Sequence, residues 1–192
     1  METDLFVVFD TETSGLFNFA RPPEAEGQPR LASIAFVFLS DSLEVESEYY
    51  KLIRPDGWKM PYGATVVNGL TQAMLEREGV PVSNILTAFN YLIDQNVTFV
   101  AHNIEFDLKV LRGEMRRAGL PDREVRSFCT MKSLTSICRI RGKRGFKWPK
   151  LIEAYQHFFN EPFDDAHEAL ADARACARIF QHVFQNGLLR VA

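Results

Sequence analysis

The chain has 192 residues, 46% hydrophobic and 24% charged, the values of an ordinary globular domain, which exclude a disordered, collagen-like or coiled-coil chain. A single domain of this length buries about two-thirds of its unfolded surface and needs no disulfide or structural metal to fold. The longest apolar run, Ile34 to Leu39, is far short of the ~20 residues of a membrane helix, and the acidic start Met1-Glu2-Thr3-Asp4 lacks the basic segment of a signal peptide. Three cysteines without a paired spacing predict reduced thiols and a cytoplasmic setting.

Leu5 to Phe9 is an apolar run of β-formers that predicts a buried strand ending at Asp10. Thr11 to Arg30, with Gly15, Pro22, Pro23, Gly27 and Pro29, reads as an unusually long loop. Strands are expected over 31–39 and 45–53, joined by the turn Ser40-Asp41-Ser42, which makes a three-stranded meander. Helices are expected over 64–68 and 82–93, the second with Ile85, Leu86, Phe89, Leu92 and Ile93 on one face. A fourth strand over 97–101 precedes a helix over 104–118, closed by Gly119 and Pro121. A short strand near 125–128, helices near 131–137 and 149–159, and a last helix from about Ala166 complete the order. Asp165 and Glu168 form a predicted capping box for that last helix. The fold class is α/β, a mixed sheet with helices on its faces.

The net charge of −3 is unevenly spread. From Val125 to Ile152 the chain carries Arg126, Lys132, Arg139, Arg141, Lys143, Arg144, Lys147 and Lys150 and no acid, so this segment is +8 and the remainder −11. Such a patch either attracts phosphate backbones or is a solvated basic loop. Phe146 and Trp148 follow the charges, as stacking residues need, although a tryptophan is more often a core residue. Phe17, Phe19 and Arg21 repeat the theme in the long loop.

Asp10 and Glu12 lie two apart, so a continuing strand projects both from one face. Paired carboxylates beside an apolar run either share a hard divalent cation or mark the point where the strand emerges into water. Asp107 sits one turn into the helix after the fourth strand, where an acid also complements the helix dipole. Asp172 sits on an alanine-rich helix able to approach the sheet closely, and either needs a partner there or pairs with Arg174 or Arg178.

Taken in order, Phe9-Asp10-Thr11-Glu12-Thr13-Ser14-Gly15-Leu16, His102-Asn103-Ile104-Glu105-Phe106-Asp107 and His167-Glu168-Ala169-Leu170-Ala171-Asp172 resemble the three motifs of the DEDDh, or DnaQ-like, 3′–5′ exonucleases. The similarity runs from about Leu5 to Phe184. It implies a ribonuclease H-like five-stranded mixed sheet flanked by helices, within a single domain over 1–192. It also implies that Asp10, Glu12, Asp107 and Asp172 bind two Mg²⁺ or Mn²⁺ ions, with His167 as general base and His102 as its rival. Thr11, Leu16, Gly69, Leu70 and Asn103 resemble the pocket for the terminal nucleotide. The implied partner is nucleic acid with a free 3′ end, single-stranded DNA first and RNA or oligoribonucleotides second, with a silent nucleic-acid-binding module as the third reading. No membrane is expected, and a polymerase or repair partner and a homodimer stay open. The long loop over 17–30 departs from the family pattern.

Overall fold

The structure, a computed structural model of the chain, describes residues 5–163 and 168–189. Three strands open it: β1 (Phe6–Thr13), β2 (Leu31–Leu39) and β3 (Val45–Leu52). Three helices follow, α1 (Tyr62–Asn68), α2 (Gln72–Glu78) and α3 (Val82–Asp94), then β4 (Thr98–Ala101) and α4 (Ile104–Arg117). Next come β5 (Ser127–Cys129), the single turns α5 (Thr130–Ser133) and α6 (Thr135–Cys138), and a hairpin of β6 (Arg141–Gly142) and β7 (Gly145–Phe146). The helices α7 (Leu151–Phe159) and α8 (Ala169–Gln185) end the order. The main sheet runs β3-β2-β1-β4-β5, antiparallel through β1–β2–β3 and parallel through β1–β4–β5. This is the five-stranded mixed sheet expected from the sequence.

Alternation along β1 separates two cores. Val7 and Phe9 face α3 and α4 and pack with Phe36, Phe89, Phe99 and Leu111. Phe6 and Val8 face α8 and pack with Ala169, Ala173, Cys176, Ala177 and Phe180. Small side chains one helical turn apart let α8 lie close to the sheet, as its alanines predicted. Among the described residues no helix is long and apolar enough to cross a membrane, and all three cysteines are free thiols.

Several boundaries differ from expectation. β1 does not stop at Asp10: Thr11, Glu12 and Thr13 pair with Ile34, Ser33 and Leu31, with a register shift between Glu12 and Thr13. Neighbouring β2 supplies hydrogen-bond partners that a local reading cannot see. α2 and the β6–β7 hairpin were not anticipated, because neither segment has a marked apolar periodicity. α8 begins at Ala169 with extended Glu168 before it, and among the described residues the Glu168 side chain makes no cap hydrogen bond to α8. Asp165, Ala166 and His167 lie outside the described residues. Trp148 is 58% exposed rather than a core residue, and Phe17 is buried rather than displayed.

The long segment after β1 is an ordered structure. The buried Gln28 amide accepts from Asn18 N and donates to the carbonyls of Asn18, Arg21 and Pro22 at 2.8–3.1 Å. Arg30 donates Nε and Nη2 to buried Glu114 of α4 at 2.8 and 3.0 Å, while Arg117 donates to Glu114 and to the Pro23 carbonyl. At Gly113 a Cβ would meet Pro23 O at 2.9 Å, so a glycine inside α4 is what lets the loop backbone approach.

Candidate active site

Continuation of β1 decides where its acids point. Asp10 and Glu12 share the face of Phe6 and Val8, toward α8, while Thr11 and Thr13 turn to the opposite face. The register shift after Glu12 lies at the end of β1 that carries both carboxylates, a place where bulges commonly re-aim side chains. Asp172 arrives from the first turn of the closely packed α8. Oxygens of Asp10, Glu12 and Asp172 lie within 4.8 Å of one another, a spacing that one cation can bridge. The alternative partners of Asp172 are taken elsewhere: Arg174 pairs with Glu48 and Arg178 with Glu161.

Asp107 completes the group from the first turn of α4 and is fully buried. The Thr11 hydroxyl donates to Asp107 Oδ1 at 2.7 Å and the Thr11 N–H donates to the same oxygen at 3.1 Å. Asn103 opens α4 in the left-handed conformation, φ 75° and ψ 44°, which swings the helix start over the carboxyl end of β4.

Burial holds Asp10 well above the ordinary carboxylate range, and the like charges of Asp107, Asp172 and Glu12 add to it. Burial and then Asp172 raise Glu12 to about 8 against a hydrogen bond from Asn68 that lowers it. Burial likewise raises Asp107 to about 7, with the Thr11 hydroxyl opposing. Carboxylates so placed ionise together only with a cation among them, and an all-oxygen donor set suits a hard divalent ion. The residues fit such a metal.

The acids line a cavity of about 630 Å³ whose walls include Thr11, Gly15, Leu16, Ala64, Val67, Asn68, His102, Asn103 and Phe106. Leu16 is 86% exposed at the rim. Thr11, Leu16 and Asn103 are thus brought together at this cavity. Gly69 and Leu70 do not line it. Gly69 ends α1 in the left-handed conformation, and Leu70 is buried against Leu52, Met60 and Leu75. The neighbouring α1 face, Ala64, Val67 and Asn68, takes their place at the wall. Asn68 also donates Nδ2 to the Thr13 carbonyl at 3.2 Å, holding α1 against the end of β1. Two adjacent exposed valines on a helix without any buried residue were the available signal for this wall.

His167 lies outside the described residues, so its placement is not part of this geometry. His102 is held on both nitrogens, Nδ1 at 3.0 Å from Thr130 Oγ1 and Nε2 at 2.9 Å from the Pro149 carbonyl. A carbonyl only accepts, so Nε2 carries the proton and Nδ1 accepts from the threonine. Burial lowers the His102 pKa. A histidine pinned at both ends serves as a brace between three segments and has no nitrogen left to take a proton from water.

Residues 7–180 match the exonuclease family RNase_T. The chain belongs to this family. The chain is 28% identical over 190 residues to the 3′-5′ exonuclease DinG of Bacillus subtilis (strain 168), a match covering 97% of the chain and 18% of the relative. It thus spans less than a fifth of that relative's length. Its fold is similar to the nuclease domain of 3′hExo, a DEDDh family member bound to rAMP, with a TM-score of 0.75 and 18% identity over 99% of this chain and 96% of that one. It is also similar to E. coli exonuclease I in complex with a dT13 oligonucleotide, with a TM-score of 0.73 and 17% identity over 96% of this chain and 42% of that one. The sheet order and flanking helices of the chain are accordingly those of the ribonuclease H-like fold.

Proposed function

We propose that this member of the RNase_T family hydrolyses the terminal phosphodiester at the 3′ end of single-stranded nucleic acid, DNA first, and releases nucleoside 5′-monophosphates. The observation that carries the reading is the convergence of Asp10, Glu12, Asp107 and Asp172 on one cavity with both acidic and apolar walls. A catalytically silent binding module has no use for four acids that repel one another and the phosphate alike.

Asp10, Glu12, Asp107 and Asp172 would hold two Mg²⁺ or Mn²⁺ ions. When bound, a divalent pair supplies charge stabilisation to the attacking and leaving oxygens of an in-line displacement. Leu16, Val67 and Phe106 give a terminal base an apolar wall, which orients the scissile phosphate toward the acids. Asn68 and Thr11 hold Glu12 and Asp107 in place while the substrate is positioned. His167 takes a proton from the attacking water, a task suited to a side chain whose ordinary pKa is about 6.5.

A second substrate reading, RNA, is supported by the similarity to a nuclease domain solved with rAMP. Discrimination rests on contacts to the 2′-hydroxyl. The experiment is product analysis on matched DNA and RNA single strands, each labelled at the 5′ or the 3′ end, with Mg²⁺, Mn²⁺ or chelator. The proposal expects the 3′ label to appear at once as a mononucleotide while 5′-labelled strands shorten stepwise. Release of mononucleotides from the 5′ end, or cleavage undiminished by chelator, overturns it.

A further inference from the structure

The basic segment remains unexplained by the catalytic cavity, and the structure gives it a definite shape. β6 and β7 form a hairpin with a two-residue turn, Lys143-Arg144, held between Gly142 and Gly145 and closed by Lys147 N donating to Ile140 O at 2.9 Å. Gly145 has φ +113°, a conformation that favours glycine, and a Cβ on Gly142 would lie 3.0 Å from Lys147 Cβ, a close contact. Arg141, Lys143 and Arg144 are exposed, and among the described residues none of them has a carboxylate within ion-pair distance. Lys132 and Lys147 pair instead with Glu105 and Glu153. Phe146 and Trp148 stand exposed beside these charges, and Lys132 Nζ lies 5.9 Å from the Trp148 ring centroid.

The hairpin is tied to the catalytic cavity. Pro149, directly after Trp148, is buried, and its carbonyl accepts from His102, which lines the cavity. Lys132 reaches back to Glu105 in the same turn of α4 as Asp107. Trp148 thus adjoins in sequence the residue that holds His102, and among the described residues the three hairpin cations have no ion-pair partner.

We propose that the β6–β7 hairpin and Trp148 form a second nucleic-acid site, which takes the single strand leading 5′-ward from the terminal nucleotide and so favours long strands over short oligonucleotides. Exposed cations meet successive phosphates, and exposed aromatic faces accept any base, which together are the requirements of sequence-tolerant single-strand binding. The acidic cavity repels the same polyanion, and a cationic arm beside it offsets that repulsion without altering the metal ligands. This inference rests on the exonuclease reading for its substrate but can be tested without catalysis.

The test uses the full chain and two variants, Trp148→Ala and the triple change Arg141→Gln, Lys143→Gln, Arg144→Gln. Binding of a long homopolymeric DNA strand is measured in chelator across a salt series, and cleavage of that strand and of a dinucleotide is measured with Mg²⁺. The triple variant should bind the long strand more weakly, with a salt slope shallower by about 2, because each phosphate contact contributes ~0.7 on single strands. Trp148→Ala should weaken it by about tenfold, within the range of one lost base stack, and Trp148→Phe should recover most of that. Dinucleotide cleavage should stay within about twofold in all variants, which also reports that they fold. An unchanged salt slope, equal losses on both substrates, or equal losses on fully paired duplex overturns the proposal. Hairpin-dependent binding without any nucleotide release sustains it and counts against the exonuclease reading alone.

Discussion

Thr11 donates both its hydroxyl and its backbone N–H to one oxygen of Asp107, across 96 positions of sequence. This pairing ties β1, which carries two of the acids, to α4, which carries the third. It also explains why Asp107 rises only to about 7 despite complete burial. Replacing Thr11 by valine removes one of the two donors to a charged acceptor, worth about 1.5–3 kcal/mol. The expected result is a ten- to hundredfold weaker apparent metal affinity, with the acid limb of the activity profile moved to higher pH. Metal titrations of activity at several pH values check this, and an unchanged profile speaks against the pairing.

The raised carboxylates fix how the metal-free protein responds to pH. Glu12 is raised from an ordinary 4.5 to about 8, and Asp107 from 3.8 to about 7. A group whose folded pKa is raised stabilises the protein fully below its unfolded value and loses that contribution as pH climbs through the folded one. In chelator, the melting temperature of the unaltered protein should therefore fall, relative to Asp10→Asn, between about pH 5 and about pH 8. Adding Mg²⁺ or Mn²⁺ near pH 8 should reverse the fall, since a ligand of the folded state stabilises it by mass action. Curves for the two proteins that stay parallel across that window would show that the acids are solvated and contradict this account.

Much of this was legible in the sequence. The apolar runs at Phe6–Phe9, Ile34–Leu39 and Phe99–Ala101 are buried on both faces and announce central strands wherever they pair. The three acid motifs converge because the strand and helix periods place them so. What was hidden depends on partners remote in sequence. β1 runs to Thr13 only because β2 is there to pair with it, and Thr11, which lines the cavity, also braces Asp107. Gly69 and Leu70 looked like part of the pocket, yet the helix they terminate presents Ala64, Val67 and Asn68 to it instead. The exposure of Trp148 had no local signal at all, since burial of an indole depends on what folds over it.

Glu114 is the other buried acid of α4, 2% exposed and gripped by Arg30, Arg117 and the Leu31 N–H. Glu114→Gln should cost about 2–3 kcal/mol, somewhat below a fully buried pair because both arginines keep about a fifth of their side chains in water. Urea unfolding is the measurement. A change within about 0.5 kcal/mol, typical of an exposed pair, contradicts the idea that this cluster anchors the 14–30 loop.

His102 and His167 separate by kinetics. His167→Ala should lower turnover by ~10²–10⁴-fold with little change in KM, as loss of a general base does. His102→Gln, which spares a donor for the Pro149 carbonyl, should lose less than tenfold. A larger turnover loss at His102 than at His167 requires the two roles to be exchanged.

The most direct test of the central claim, that four convergent acids serve metal-dependent hydrolysis at a 3′ end, is the activity of Asp10→Asn and Asp172→Asn. Both are measured beside the unaltered protein as mononucleotide release across a Mn²⁺ titration, with circular dichroism as the control for folding. Each variant removes one member of the triad whose oxygens lie within 4.8 Å of one another. The account predicts release from the unaltered protein only with metal, and a loss of at least ~10³-fold in each folded variant, the scale of removing a group that stabilises the transition state electrostatically. Near-normal turnover in either folded variant, or metal-independent release from the unaltered protein, would contradict it.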